Sequence, residues 1–220
     1  HGSVDYFLPD GTPVAPDTVP LNSEGRHQAD AAGALFAQCG VRFDRVITSG
    51  LPRTVETAQR VLAAAGLAAV PIDVEPAWAE IRGGRLADLP AEDIEEAFLG
   101  AFRAGFGAEG LRFLGGESIA ELLDRVLPPF EACCARPDWE CLLLVLHGGV
   151  NRALLSSVLA GQRAFFGRLE QQPACINVLE LGAGDDAVVR AVNVAPTQWL
   201  HEHERLTTME KVLAQYRRRG

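Results

Sequence analysis

Three side chains in this sequence stand where side chains can do chemistry. His147 ends the run Cys141-Leu-Leu-Leu-Val-Leu146 and precedes Gly148 and Gly149. An apolar run without polar alternation reads as a strand buried on both faces of a parallel sheet. Val150 to Leu159 follows with helical spacing. His147 therefore belongs at a strand's carboxyl end and a helix start, where open α/β sheets bind ligands and helix N-termini favour anions. Arg53 follows a strand at Phe43–Thr48 and the turn Ser49-Gly50-Leu51-Pro52, so it too falls near a helix N-terminus. A cation there opposes the helix dipole and makes sense if it faces an anion held at the same end. Glu80 lies in a loop beside Trp78. A carboxyl group near apolar surface is pushed toward its protonated form, which suits a general acid. Together the three suit phosphoryl transfer. Singly, each has a plainer reading: an incidental turn residue, a surface arginine, a glutamate paired with Arg82 or Arg85 in solvent.

The elements that must position them follow from pattern. At 220 residues, nearly half of them hydrophobic, the chain fits one globular α/β domain with a sizeable core. The net charge of −9 argues against a nucleic-acid or anionic-membrane surface. No apolar run reaches the length of a membrane span, and no secretory leader is visible. Five cysteines without zinc or Cys-x-x-Cys spacing read as reduced thiols of a cytoplasmic protein. Asn22 caps a first helix that Gly40 ends, and Pro52 opens a second running to about Ala65. Val70–Val74 reads as a strand and Ala91–Arg103 as a helix with an acidic start. The glycine-rich stretch Gly100–Gly116, with Phe102, Phe106 and Phe113, reads as a mobile flap. Ser118 to Glu121 is a capping box for a helix expected to bend or break at Pro128-Pro129. Cys175–Leu181 and Ala187–Val194 read as a hairpin around Gly182–Asp186, and Thr207–Glu210 caps a last helix ending in solvated Arg217-Arg218-Arg219. His201-Glu202-His203-Glu204 lacks the spacing to place both histidines on one helix face, so no metal is expected.

In order along the chain, these segments resemble the histidine phosphatase superfamily, the branch that includes cofactor-dependent phosphoglycerate mutases. Leu21 to Ala29 is similar to its Leu-Thr-x-x-Gly-x-x-Gln-Ala helix start, and Ser49 to Ala58 to its Ser-x-Leu-x-Arg-Thr-x-x-Thr-Ala segment. Gly116-Glu117-Ser118 matches Gly-Glu-Ser, and His147 to Arg152 matches His-Gly-Gly-x-x-Arg. Taken alone, His1-Gly2-Ser3 reads as the scar of a histidine tag; in this company it falls where the family's Arg-His-Gly places the nucleophile.

The resemblance implies a single three-layer α/β/α sandwich over residues 1–220, with a mostly parallel central sheet and a flap or insertion around 84–116. It implies that His1 attacks phosphorus and that Arg53, His147 and the N–H of Gly148 hold the phosphoryl oxygens. Glu80 would pass the proton, with Ser49 and Phe7 as further substrate contacts. No metal and no cofactor are implied; the partner is a small phosphate ester, and a homodimer is left open. Three departures bear on this. The family's arginine and strand before the histidine fall outside these residues. Val4 and Phe7 stand where the family's Thr and Asn would be, which weakens a mutase reading and suggests a less polar leaving group. The loop around Glu80 lacks the mutases' Gly-x-Trp-Glu-Gly, so Glu75 and Asp88 are alternatives for the acid. The expected activity is a phosphomonoesterase, against a mutase or a catalytically silent binding module on the same fold.

Overall fold

The computed structural model describes residues 1–8, 10–104, 108–182, 186–198 and 206–218. Phe106, the hairpin turn 183–185, His201–Glu204 and Arg219 therefore lie outside the described residues. Helices α1 (Ser23–Gln38), α2 (Pro52–Ala64), α3 (Ile94–Arg103), α4 (Ile119–Cys134), α5 (Gly148–Ala160) and α6 (Thr208–Arg217) surround two small sheets. Strands β1 (Arg45–Thr48), β2 (Ile72–Val74) and β3 (Leu142–Val145) pair in parallel in the order β2-β1-β3. Strands β4 (Ile176–Leu181) and β5 (Ala187–Val194) form a separate antiparallel pair. Between the two sheets lies His1: its backbone nitrogen donates to Leu146 O at 2.9 Å, and its carbonyl accepts from Ala174 N–H at 2.7 Å.

Alternation along the strands sorts the core into the expected three layers. Val46, Leu143 and Val145 face α1 and α2, meeting Phe36, Ala58 and Leu62. Ile47, Leu142, Leu144 and Leu146 face α4 and α5, meeting Ile119, Leu122, Val150 and Leu154. This two-sided packing is why β3 carries no polar alternation. Asn22 caps α1 by accepting from Gly25 N–H, and Gly40 beyond its end takes φ +68°, the left-handed geometry glycine tolerates.

Of the expected bend or break at Pro128-Pro129, the break is absent: helix α4 runs through both prolines to Cys134. Each proline removes a backbone donor at a cost of about 3 kcal/mol. Burial of Leu122, Leu123, Val126, Leu127 and Phe130 on the same helix offsets that, at about 1.5–3 kcal/mol per side chain. At the end of the C-terminal helix Arg217 and Arg218 are exposed, as expected, while the helix itself is packed on the body of the domain. Leu213 of α6 is buried against α3, and Arg217 pairs with Glu95 of α3 at 2.6 Å. Within the expected flap, Ala108 and Leu114 are buried and Gly116 packs tightly against Arg82 O, while Gly110, Leu111, Arg112 and Gly115 are exposed.

Candidate active site

Three strand or loop ends converge. His1 is placed by its neighbours' backbone: Gly2 N–H donates to Thr57 Oγ1 of α2 at 3.1 Å, and Ser3 N–H to Gln28 Oε1 of α1 at 2.9 Å. A Cβ on Gly2 would lie 2.2 Å from Gly25 O, so two glycines let this segment lie against the start of α1. The imidazole is oriented in turn. Its Nδ1 is 2.8 Å from Gly2 O, which can only accept, so Nδ1 carries the proton and Nε2 presents a lone pair. That lone pair faces Arg53, whose Nε is 3.3 Å away.

Arg53 is 1% exposed on the first turn of α2, which has Pro52 at its start and no side-chain cap. Its Nη1 donates to Pro16 O at 2.6 Å, which ties the guanidinium to the loop between His1 and α1. His147 is fully buried, and its ring centroid is 5.1 Å from that of His1. Its Nε2 is 2.7 Å from Ser49 Oγ. The direction of that bond can be worked out. Thr54 Oγ1 gives its proton to Leu51 O, so Ser49 donates to Thr54, and His147 Nε2–H donates to Ser49. Nδ1 of the neutral ring is then an acceptor, buried and without a partner among the described residues. Burial, with the Arg53 charge acting the same way, holds His147 well below the ordinary imidazole range.

Glu80 joins the cluster by its carboxylate. It accepts from Gly149 N–H at 3.1 and 3.2 Å and from Ile81 N–H at 2.9 Å, at the N-terminus of α5. A Cβ on Gly149 would lie 2.5 Å from Glu80 Oε1, which explains the second glycine after the histidine. Neither rival carboxylate comes near. Glu75 caps its own 3-10 turn through Ala77 N–H, and Asp88 is exposed beside Arg85. Trp78 is buried, and its indole N–H donates to Val126 O.

The remaining expected residues are placed as follows. Gly148 opens α5, and its carbonyl accepts from Arg152, a buried arginine that pairs with Glu170 at 3.0 Å. Ser49 is buried and braces His147. Phe7 bridges Pro13 and lies 6.1 Å from the Tyr216 ring of α6. Its neighbour Tyr6 stands in the electrostatic field of both Arg53 and Glu80; burial pushes its phenol above the ordinary value. A cavity of about 400 Å³ lined by Phe102, Arg103, Arg152 and Glu170 includes none of the four clustered side chains. Sequence reasoning assigned no role to Gln28, Thr54 or Thr57, which hold His1 and His147 in place. All three lie inside the two segments that had been matched.

Comparison with known proteins gives the chain its family. The model of the histidine phosphatase superfamily (branch 1) matches residues 1–194. A 2,3-bisphosphoglycerate-dependent phosphoglycerate mutase of Azorhizobium caulinodans is 34% identical over 146 residues, 61% of this chain and 67% of that protein. A probable phosphoglycerate mutase of Yersinia enterocolitica is 34% identical over 143 residues, 64% of this chain and 63% of that protein. The chain thus spans about two thirds of the length of these curated relatives. In fold it is similar to a mycobacterial glucosyl-3-phosphoglycerate phosphatase solved with inorganic phosphate, with TM-score 0.67 and 22% identity over 89% of this chain and 95% of that one. With the family model covering most of its length, and the two histidines and the arginine gathered at the strand ends, the chain belongs to the histidine phosphatase superfamily, branch 1.

Proposed function

We propose that this protein is a phosphomonoesterase that hydrolyses a small phosphate ester through a phosphohistidine. His1 Nε2 attacks phosphorus, an N–P bond forms, and the ester P–O bond breaks. Arg53, the N–H of Gly148 and His147, once its free Nδ1 has taken a proton from the bound phosphate, hold the three phosphoryl oxygens as charge shifts among them. Glu80, once protonated, gives its proton to the leaving oxygen. It then takes one from the water that attacks phosphorus and releases His1. The observation that carries this reading is the orientation of His1: Nδ1–H on Gly2 O leaves the Nε2 lone pair aimed at Arg53.

A second reading, mutase-type transfer between two positions of a phosphoglycerate, is favoured by the names of the 34% identical relatives. Against it, Val4 is bridged to Leu21 and Phe7 to Pro13, which puts apolar groups where the resemblance has Thr and Asn. A silent binding module is disfavoured because both histidines and the arginine are retained and oriented. The partner on this reading is a small phosphate ester rather than nucleic acid, and five free cysteines support a reducing compartment such as the cytoplasm. Among the described residues no helix is long and apolar enough to cross a membrane.

The test is hydrolysis of an aryl phosphate in the presence of EDTA by the protein and its His1→Ala variant. We expect EDTA-resistant turnover and an acid-labile, alkali-stable phosphoenzyme, both abolished in His1→Ala. No hydrolysis of any phosphate ester by folded protein overturns the phosphatase reading. Turnover that requires a bisphosphate primer and returns the phosphoryl group to the same carbon skeleton selects the mutase.

A further inference from the structure

The Gly116-Glu117-Ser118 segment carries none of the four clustered side chains, yet it is tied to one of them. Glu117 and Arg125 of α4 form a fork-to-fork ion pair, with Nε on Oε1 at 2.8 Å and Nη2 on Oε2 at 2.7 Å. Both side chains are largely buried, at 8% and 14% exposure. The rest of the guanidinium goes to one loop. Nη1 donates to Ala77 O at 2.6 Å and to Ala79 O at 2.8 Å, and Nη2 reaches Glu80 O at 3.5 Å. All five donors of Arg125 are thereby used. From the other side, Glu117 Oε2 accepts from Arg82 N–H at 3.0 Å, and Glu117 N–H donates to Arg82 O at 2.8 Å.

So the backbone on both sides of Glu80, from Ala77 to Arg82, is gripped by one ion pair, while the Glu80 carboxylate rests on the first turn of α5. A loop of carbonyls has no reason to hold one shape by itself. Here a planar cation fixes three of them while also pairing both oxygens of Glu117, five bonds for which the three donors of an ammonium are too few. We propose that Arg125, held rigid by Glu117, is the positioning residue that sets Glu80 against the leaving oxygen. This rests on the reading of Glu80 as the proton carrier. Arg125 touches no reacting atom; it acts through the loop. Displacing a catalytic group by about 1 Å costs on the order of 10²-fold in rate, so the clamp controls turnover without contributing to binding.

The experiment compares two substrates. An aryl phosphate releases a phenolate that needs little protonation; an alkyl phosphate releases an alkoxide that needs a proton as it departs. Glu80→Gln should lower kcat on the alkyl ester by about 10²–10⁴-fold and on the aryl ester far less. Arg125→Lys should move the same way, by about 10²-fold on the alkyl ester, with KM unchanged for both and a cooperative thermal melt. Equal loss on both esters, or no loss, overturns the positioning role. If Glu80→Gln fails to separate the two esters, the proton-carrier reading itself falls and the clamp with it. If Glu80→Gln separates them and Arg125→Lys does not, only the clamp falls. Should Arg125→Lys not fold, Glu117→Gln, which keeps an acceptor for Arg82 N–H, is read by the same criteria. Unfolding of both would mean that the pair holds the domain and not the loop, and the proposal fails.

Discussion

The starts of α2 and α5 are two versions of one design. Each follows a parallel strand, β1 or β3, whose ends stand side by side with Thr48 opposite Val145. Each helix begins without a side-chain cap of its own. They are completed differently. The α2 turn is closed from within: Thr54 donates to Leu51 O, Ser49 braces Thr54, and Pro52 presets the first turn. It presents a cation, Arg53. The α5 turn is closed from outside: its Gly149 N–H is met by the carboxylate of Glu80, 69 residues earlier in the chain. On the proposed mechanism, the difference separates a fixed duty from a changing one. A group that must hold phosphoryl oxygens throughout benefits from local closure. A group that must gain and lose a proton sits on a loop whose support can be adjusted independently.

If that contrast is right, the two turns should fail in different ways, and the α2 turn should fail hardest. Arg53→Lys keeps the charge but cannot span His1 Nε2 and Pro16 O with one planar group. We expect kcat/KM to fall by about 10²–10³-fold, the scale of losing a preorganised oxyanion donor, on aryl and alkyl phosphates alike. Activity within a few-fold of the parent would show that the α2 turn supplies only charge and would remove the contrast.

The α5 turn can be probed with one methyl group placed in two positions. At Gly149 a Cβ would meet Glu80 Oε1 at 2.5 Å; at Gly148 the nearest atom is Arg152 Nη1 at 3.2 Å, the end of a long side chain. Neither glycine has the positive φ that would itself forbid alanine. Gly149→Ala should therefore displace the Glu80 carboxylate and lower kcat on an alkyl phosphate by about 10²-fold, with the aryl ester less affected and Gly148→Ala milder on both. Steady-state kinetics on the four combinations decides it. If Gly148→Ala is the more damaging, the amide of residue 148 outweighs the seat of Glu80.

Much of this arrangement was legible because turn chemistry is local. An apolar run ending in His-Gly-Gly announces a strand, a turn and a helix start, and Pro52 announces the start of α2. His1 had no such signal; only the order of matched segments gave it meaning. The braces were not legible. Thr57 meets Gly2 across 55 positions and Arg125 meets Ala77 across 48, and no periodicity encodes such pairs. Where a local rule was trusted too far, as at Pro128-Pro129, the buried face of α4 overrode it. The strand patterns at 176–194 foretold a hairpin but not that it would stand apart from the parallel sheet.

The smallest expected effect tests the rigidity of the α2 side through stability. His147 donates from Nε2 to the Ser49–Thr54–Leu51 chain, so its buried Nδ1 can take a proton only by placing a charge beside Arg53. Its pKa is held well below the ordinary 6.5 by burial first and Arg53 second. The sign follows from linkage: below 6.5 the unfolded chain binds a proton at this site that the folded chain refuses, so stability is lost as pH falls toward the folded-state value. The contribution is fully present above 6.5, and its slope reaches at most about 1.4 kcal/mol per pH unit. Depressed carboxylates such as Glu95 and Asp138 act at lower pH and do not overlap the start of this window. Denaturant titrations between pH 7.5 and 5 should show the slope in the parent and a flatter one in His147→Asn. An equal slope in both would mean that His147 gains its proton in the folded state without penalty. The serine–threonine chain would then fix the ring's direction but not its charge, and the α2 turn would be less rigid than its hydrogen bonds suggest.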